Sequence, residues 1–356
     1  MKAMIAMSGG VDSSASAVCM MQAGYTCVGV TMRLHDVEGH ADDALSLPAQ
    51  EAKAVADRLG FPFYELDYRE AFEQQVVAPF VAAYEQGRTP NPCISCNRHM
   101  KFARLHEKAR ELGCDLVVTG HYARVVYDEE NRRWSLRKAR NLAKDQSYVL
   151  YFLSQEQLAR TRFPLGEMES KDQVRALAQT HGLANANKHD SQDICFIPDG
   201  KYADFIRRHT GREYPPGAFV DRQGAVLGQH KGLIGYTVGQ RRGLGLSLPA
   251  PLYVCDKCVE DNTVILSPEA ALYSRELLAE DVCWTIGEPP CGPIRVEAKT
   301  RYAAKEAPAV AEMLPDGRLK VVFDQPQRAM TQGQAVVLYD GDEVLGGGTI
   351  CAVPNE

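Results

Sequence analysis

The sequence predicts an α/β chain in which a parallel sheet wrapped by helices is followed by two smaller, mainly β domains. Three observations predict it. Up to about residue 200, short β-type runs alternate with helical periodicities, as in a sheet whose parallel strands are joined by crossover helices. Beyond Lys201, glycine and proline punctuate short β-type runs, a texture that suits a barrel or sandwich. The length of 356 residues exceeds what one ordinary hydrophobic core organises. The expected domains are 1–200, 201–273 and 274–356.

The elements follow in order. Residues 2–7 read as a strand, 14–23 as a helix closed by Gly24, and 27–32 as the next strand. Ala52, Val55, Ala56 and Leu59 recur at helical spacing, with Gly60 behind them as a C-terminal cap. Phe72, Val76, Phe80 and Tyr84 mark a further helix. After a proline-bearing loop, Asn97 is expected to cap a helix carrying Phe102, Leu105 and Leu112, and 115–119 is then a buried strand. Ser154 with Gln157, and Ser170 with Gln173, have the spacing of capping boxes. Later, 253–259 and 263–266 read as strands, and Ser267 followed by Pro268 starts a short helical bridge. In the last domain, Pro315-Asp316-Gly317 and Asp340-Gly341 are hairpin turns among strands at 310–314, 319–323, 335–339 and 348–353.

Composition excludes several classes. With 45% hydrophobic and 24% charged residues, the chain matches globular rather than disordered proteins. No apolar run approaches the roughly 18 residues of a membrane helix. The start, MKAMIAMSGG, is too short for a signal peptide and runs straight into a glycine turn, so a cytoplasmic protein with no membrane partner is expected. Eleven cysteines, an odd number without an export signal, argue for reduced thiols rather than a disulfide framework. At a net charge of −6, a nucleic acid would have to be held by local basic patches. Three stretches qualify: 86–108, with five basic residues against Glu107; 222–255, with Arg222, Lys231, Arg241 and Arg242 and no acid; and Arg295, Lys299, Arg301 and Lys305 against Glu297. Ordinary solvated faces often look the same.

Ser8-Gly9-Gly10-Val11-Asp12-Ser13-Ser14 lies between the first strand and the first helix, where unpaired N–H groups and the helix dipole form an anion site. It is neither a Walker A loop nor the Gly-x-Gly-x-x-Gly of dinucleotide folds. The bland reading is a serine-rich turn capping a helix. The motif resembles the pyrophosphate loop of the N-type ATP pyrophosphatases, which implies a PP-loop domain (adenine nucleotide α-hydrolase-like). Such domains bind ATP and release pyrophosphate after adenylating an oxygen. Relatives then attack the adenylate with ammonia, aspartate or sulfur, so the loop alone does not choose among those products.

Two cysteine segments bear on that choice. Gly87-Arg88-Thr89-Pro90-Asn91-Pro92-Cys93-Ile94-Ser95-Cys96-Asn97 is a stiff loop leading into a helix, and thiols near a helix N-terminus are biased toward thiolate. Arg98, Lys101 and Arg104 follow, in turns where the dipole disfavours cations unless an anion such as a phosphate backbone is near. The second segment is Asp190-Ser191-Gln192-Asp193-Ile194-Cys195-Phe196-Ile197, whose lone Cys195 on its own reads as a core residue.

Together with Thr119-Gly120-His121-Tyr122-Ala123-Arg124, Lys144-Asp145-Gln146-Ser147-Tyr148, Gly239-Gln240-Arg241-Arg242-Gly243-Leu244-Gly245, Arg301-Tyr302 and Gly346-Gly347-Gly348, these segments resemble the tRNA-specific 2-thiouridylases of the MnmA type. They stand in family order over nearly the whole chain. The resemblance implies ATP-dependent thiolation at C2 of the wobble uridine, position 34, in tRNAs for Lys, Glu and Gln. It implies that Ala6, Met7, Ser8, Gly9, Gly10, Val11, Asp12, Ser13, Met32 and Gly120 hold ATP, with Asp12 helping to place Mg2+. Asn91, Pro92 and Cys93 would surround the base, and His121, Lys144, Asp145, Gln146, Arg301, Tyr302 and Gln334 would touch tRNA. Cys195 matches the persulfide carrier and Cys96 the nucleophile that releases its sulfur as a disulfide forms. A cysteine desulfurase or a sulfur-relay protein would load it.

One position departs from the family pattern. Many members have aspartate where this chain has Cys93, which leaves the acid role there without an owner. The change creates Cys-x-x-Cys, so a [4Fe-4S] cluster on Cys93, Cys96 and Cys195 is the alternative to a persulfide working without metal. Cys255 and Cys258 form a second Cys-x-x-Cys. In a regular strand these residues would point to opposite faces and share no metal. The competing functions are a PP-loop small-molecule ligase of the amidating or argininosuccinate-forming type, and an RNA-binding module with a relic nucleotide site.

Overall fold

A computed structural model describes residues 1–35, 45–186 and 194–354; residues 190–193 of the second cysteine segment lie outside the described residues. The first sheet contains β1 (Lys2–Ala6), β2 (Thr26–Arg33), β3 (Phe63–Asp67), β4 (Leu116–Val118) and β7 (Thr161–Arg162), all parallel, in the order β3-β2-β1-β4-β7. The strand order reverses at β1, which has β2 on one side and β4 on the other. In open parallel sheets that reversal opens a crevice at the carboxyl ends of the strands.

Helix α1 (Val11–Gln22) begins at the carboxyl end of β1, three residues earlier than the periodicity suggested, with Gly10 at its N-cap. Its small residues allow close packing: Ser13, Ser14, Ala15, Ser16 and Ala17 are all buried. The hydroxyls of Ser14 and Ser16 donate back to the carbonyls of Gly10 and Asp12 at 3.1 and 2.9 Å, so none is buried unpaired. Helix α2 (Leu47–Leu59) ends on Gly60 in the left-handed conformation, as expected. Ser154 closes a complete capping box with Gln157; Ser170 accepts from the Gln173 amide, but the Gln173 side chain bonds the Glu169 N–H instead.

The segments at 69–85 and 92–111 are each one continuous helix with a π-helical stretch, Glu73–Val77 and Cys96–Arg104. Asn91, not Asn97, caps the second: its Oδ1 accepts from the Cys93 N–H at 3.1 Å. Asn97 is buried and donates to the Val149 carbonyl at 3.1 Å. Two prolines rigidify the chain on either side of Asn91, so its side chain meets the first free N–H before Asn97 can cap anything.

A second sheet has the order β10-β11-β8-β9, from β8 (Gly217–Val220), β9 (Val226–His230), β10 (Tyr253–Cys258) and β11 (Thr263–Ser267). The third joins β12 (Tyr273–Trp284), β13 (Ile294–Lys299), β14 (Ala307–Met313), β15 (Leu319–Arg328), β16 (Ala335–Asp340) and β17 (Glu343–Ala352), and pairing of β12 with β17 closes it into a barrel. Both anticipated turns, at Gly317 and Gly341, have positive φ.

A hairpin not anticipated from the sequence, β5 (Ala123–Asp128) and β6 (Arg133–Lys138), leaves the first half of the chain and joins this last sheet at β17. Ion pairs hold it there: Arg133 to Glu343 at 2.6 Å, Arg124 to Asp342, and Lys138 to Glu306. No helix among the described residues is long and apolar enough to cross a membrane.

Candidate active site

Ala6, Met32 and Gly120 stand at or just past the carboxyl ends of the neighbouring strands β1, β2 and β4, so the topology gathers them around the Ser8–Ser13 loop. Gly9 has φ +72°, and a Cβ there would lie 2.6 Å from Glu51 Oε2 and 2.9 Å from the Pro48 carbonyl. A Cβ on Gly120 would lie 2.9 Å from the Ser13 nitrogen. Both glycines are therefore required by close approach of backbone. The loop is internally braced: the Ser8 N–H donates to Ser13 Oγ at 3.2 Å, and Ser13 Oγ donates to the Gly10 carbonyl at 3.0 Å. Asn185 ties it to a distant segment, donating to the Gly9 carbonyl and to Ser14 Oγ at 3.1 and 2.9 Å.

Asp12 projects from the first turn of α1 and is fully engaged. Lys171 Nζ donates to its two oxygens at 2.7 and 2.8 Å, and the Tyr122 hydroxyl donates to Oδ1 at 2.7 Å. Lys171 and Tyr122 were not singled out by sequence reasoning for the nucleotide site. Their signals are the first residue after a Ser cap and the residue two beyond Gly120, and neither spacing reveals a partner more than a hundred residues away.

The three thiols of the sequence argument come together. Cys93 and Cys195 are exposed and Cys96 is buried, and none of the three is in a disulfide. They lie within electrostatic reach of one another: Cys96 feels both others, and Cys195 feels Cys93. Burial raises the pKa of all three, Cys96 to about 11, against the opposing pull of the Lys101 ammonium. The helix N-terminus thus does not by itself yield resting thiolates here; desolvation is the larger effect. Lys101, expected at an RNA phosphate, lies near enough to act electrostatically on all three thiols. Among the described residues, no group of three or more His, Cys, Asp or Glu side chains is arranged to hold a metal ion.

The loop leading to Cys93 is held from outside the first sheet. The Thr89 N–H donates to the Gln332 carbonyl at 2.9 Å, and Gln334 Nε2 donates to the Thr89 carbonyl at 2.8 Å. Gly333, with φ +90°, would put a Cβ 3.1 Å from the Thr89 backbone, and Gly87 packs toward Val259 of the second unit.

The candidate tRNA residues divide by placement. Tyr302 is 44% exposed, its pKa is raised by desolvation and then by the nearby Asp145 and Cys93, and its hydroxyl donates to the Asp145 carbonyl at 3.1 Å. Arg301 beside it is exposed. Asp145 instead accepts from the Ala139 N–H and the Ser147 hydroxyl at 2.9 and 2.7 Å, and Gln146 Oε1 accepts from the Tyr122 N–H at 3.0 Å. His121 is only 8% exposed, packs between Phe102 and Phe163, and bonds Thr119 Oγ1 at 2.7 Å. Burial and Lys101 hold its pKa well below the usual imidazole value, so the ring is neutral. Lys144 lies in the short 3-10 turn Leu142–Lys144.

Two other expectations change. Arg98 pairs with Asp281 rather than standing open, whereas Arg241 and Arg242 are exposed. The strand bearing Cys255 and Cys258 carries a bulge at Cys255, so it is not regular. The two thiols still face apart: Cys255 donates to the Ile265 carbonyl, and Cys258 faces Glu260 and Asp261.

Three family models match the chain: the tRNA methyl transferase HUP domain over 1–199, the tRNA methyl transferase PRC-barrel domain over 203–268, and the Aminomethyltransferase beta-barrel domain over 274–350. The chain is 46% identical over 353 residues to the tRNA-specific 2-thiouridylase MnmA of Clostridioides difficile strain 630, covering 98% of each. It is 48% identical over 358 residues to that of Acetivibrio thermocellus, covering 98% of this chain and 99% of the relative. With that of Carboxydothermus hydrogenoformans it shares 47% identity over 355 residues, covering 98% and 97%. Since the likeness runs end to end through the nucleotide loop, the converging thiols and both β units, the chain belongs to the tRNA-specific 2-thiouridylase MnmA family.

Proposed function

We propose that the chain replaces O2 of uridine 34 in tRNAs for Lys, Glu and Gln with sulfur. ATP sits on Ala6 to Ser13 with Met32 and Gly120 at its edge, and the C2 oxygen attacks its α-phosphorus, releasing pyrophosphate. Magnesium would be held with help from Asp12 and would offset phosphate charge. Asn91, Pro92 and Cys93 surround the base. Arg301 and Tyr302 meet tRNA at the exposed rim with Lys144, while Asp145, Gln146, His121 and Gln334 shape that surface through bonds inside the protein.

The terminal sulfur of a persulfide on Cys195 attacks C2, and AMP leaves with the original oxygen. The sulfur of the Cys96 thiol then attacks the Cys195 sulfur, its proton passing to the departing 2-thiouridine, and a Cys96–Cys195 disulfide is left. A thiol reductant restores both, and a cysteine desulfurase or relay protein reloads Cys195. The observation that carries this reading is the convergence of the three thiols beside Lys101. Three thiolates are also the ligand type of an iron–sulfur cluster. Among the described residues, no group of three or more His, Cys, Asp or Glu side chains is arranged to hold a metal ion.

The test is nucleoside mass spectrometry of tRNA treated with anaerobically purified enzyme, ATP and a persulfide donor. Cys96→Ala and Cys195→Ala are expected to make no 2-thiouridine, while Cys93→Ala does. Near-stoichiometric iron that disappears with activity in Cys93→Ala would replace the persulfide step by cluster chemistry. Pyrophosphate release that ignores tRNA would favour a small-molecule ligase.

A further inference from the structure

The nucleotide loop presents a charge problem. Residues 8–14 contain Asp12 and no lysine or arginine, so a polyphosphate entering there meets a carboxylate and no cation from the loop itself. A Walker A loop carries its own lysine for this purpose. In the structure the cation comes from elsewhere in the chain. Lys171, only 11% exposed, places Nζ 2.7 and 2.8 Å from the two Asp12 oxygens and 5.8 Å from the Tyr122 ring centroid. Resting on the reading of the loop as an ATP site, we propose that Lys171 is a further ATP-binding residue, which neutralises Asp12 in the empty loop and bonds the pyrophosphate end of bound ATP.

Three features support this. The pair sits at the mouth of the loop, because Asp12 is in the first turn of α1. Lys171 stands at the first position of the Lys171–Thr180 helix, where the dipole disfavours a cation. A lysine kept at that position, with little exposure and a carboxylate across from it, suits a site built to receive negative charge. The ammonium can also rotate its donors from carboxylate to phosphate, since it is a point charge on a flexible stem. Asp12 is then released to the metal that accompanies ATP, so one movement serves both groups.

A purely structural ion pair makes a different prediction, which a double-mutant cycle separates. ATP and AMP binding to the full-length protein would be measured by calorimetry for wild type, Lys171→Met, Asp12→Asn and the double variant, with Lys171→Arg as the form that keeps the cation. Lys171→Met is expected to weaken ATP binding about 10- to 100-fold and AMP binding far less. It should weaken ATP by the same order in the Asp12→Asn background, which leaves no orphaned charge if the single variant folds poorly. Lys171→Arg should recover part of the loss. Equal ATP affinity in Asp12→Asn with and without Lys171→Met, or an equal loss for AMP and ATP, would overturn the inference. If the wild type binds no ATP, it is the nucleotide reading of the loop that fails.

Discussion

The nucleotide loop and the thiol cluster are built in opposite ways. The loop is a local device: seven consecutive residues, braced by Ser13 and Gly10, at the place where the strand order reverses. The thiols are assembled from afar. Cys93 and Cys96 come from one helix and Cys195 from a segment a hundred residues on, and the loop before them is gripped by Gln332 and Gln334 of the last barrel. Residues 119–122 connect the two, with Gly120 against the Asp12 and Ser13 backbone, Tyr122 on Asp12, and His121 within the field of Lys101, which also acts electrostatically on the thiols. Local devices fail through backbone geometry, whereas assembled ones fail through the contacts that bring their parts together.

The largest effect should come from the local loop. Gly9→Val forces a side chain into Glu51 and the Pro48 carbonyl at positive φ, so the loop cannot keep its shape. Pyrophosphate release should disappear, while alkylation of Cys96 by iodoacetamide is unchanged. A variant that still releases pyrophosphate would show that the loop tolerates another conformation.

The middle effect is a pH dependence in the assembled thiol cluster. The Cys96 pKa is raised to about 11, chiefly by burial, so at pH 7 the thiol is protonated. Its alkylation rate should climb roughly tenfold per pH unit from 7 toward that value, following the thiolate fraction. Lys101→Met removes a cation that lowers it, so the rate at a given pH should fall. A rate that levels off near pH 8 would mean that burial does not dominate.

The smallest effect tests the grip of the barrel. Gln334→Met keeps the size of the side chain but loses the donor to the Thr89 carbonyl, a bond of about 1 kcal/mol. Alkylation of exposed Cys93 without tRNA should change a fewfold, and Arg301→Ala should leave it unchanged. If neither variant alters Cys93 and only tRNA binding responds, Gln334 acts on the RNA alone.

How much could be read without coordinates follows the same division. Local residue patterns suffice for the alternation that makes the parallel sheet, the glycine-rich turn after β1, the Gly60 cap and the hairpins at Gly317 and Gly341. In each of these the deciding interaction lies within a few residues of the signal. Local patterns also singled out Cys93 and Cys96, whereas Cys195 on its own reads as a core residue and enters only through the family resemblance. It took the folded chain to set Asn91 rather than Asn97 as the cap, to join β5 and β6 to the barrel, to bring Lys171 to Asp12, and to put Lys101 within electrostatic reach of the thiols while Asp281 takes Arg98. Each of the last four depends on a partner far along the chain or on a balance of burial against charge. Spacing and composition cannot carry such information, because desolvation and ion pairing are set by what the fold places next to a side chain.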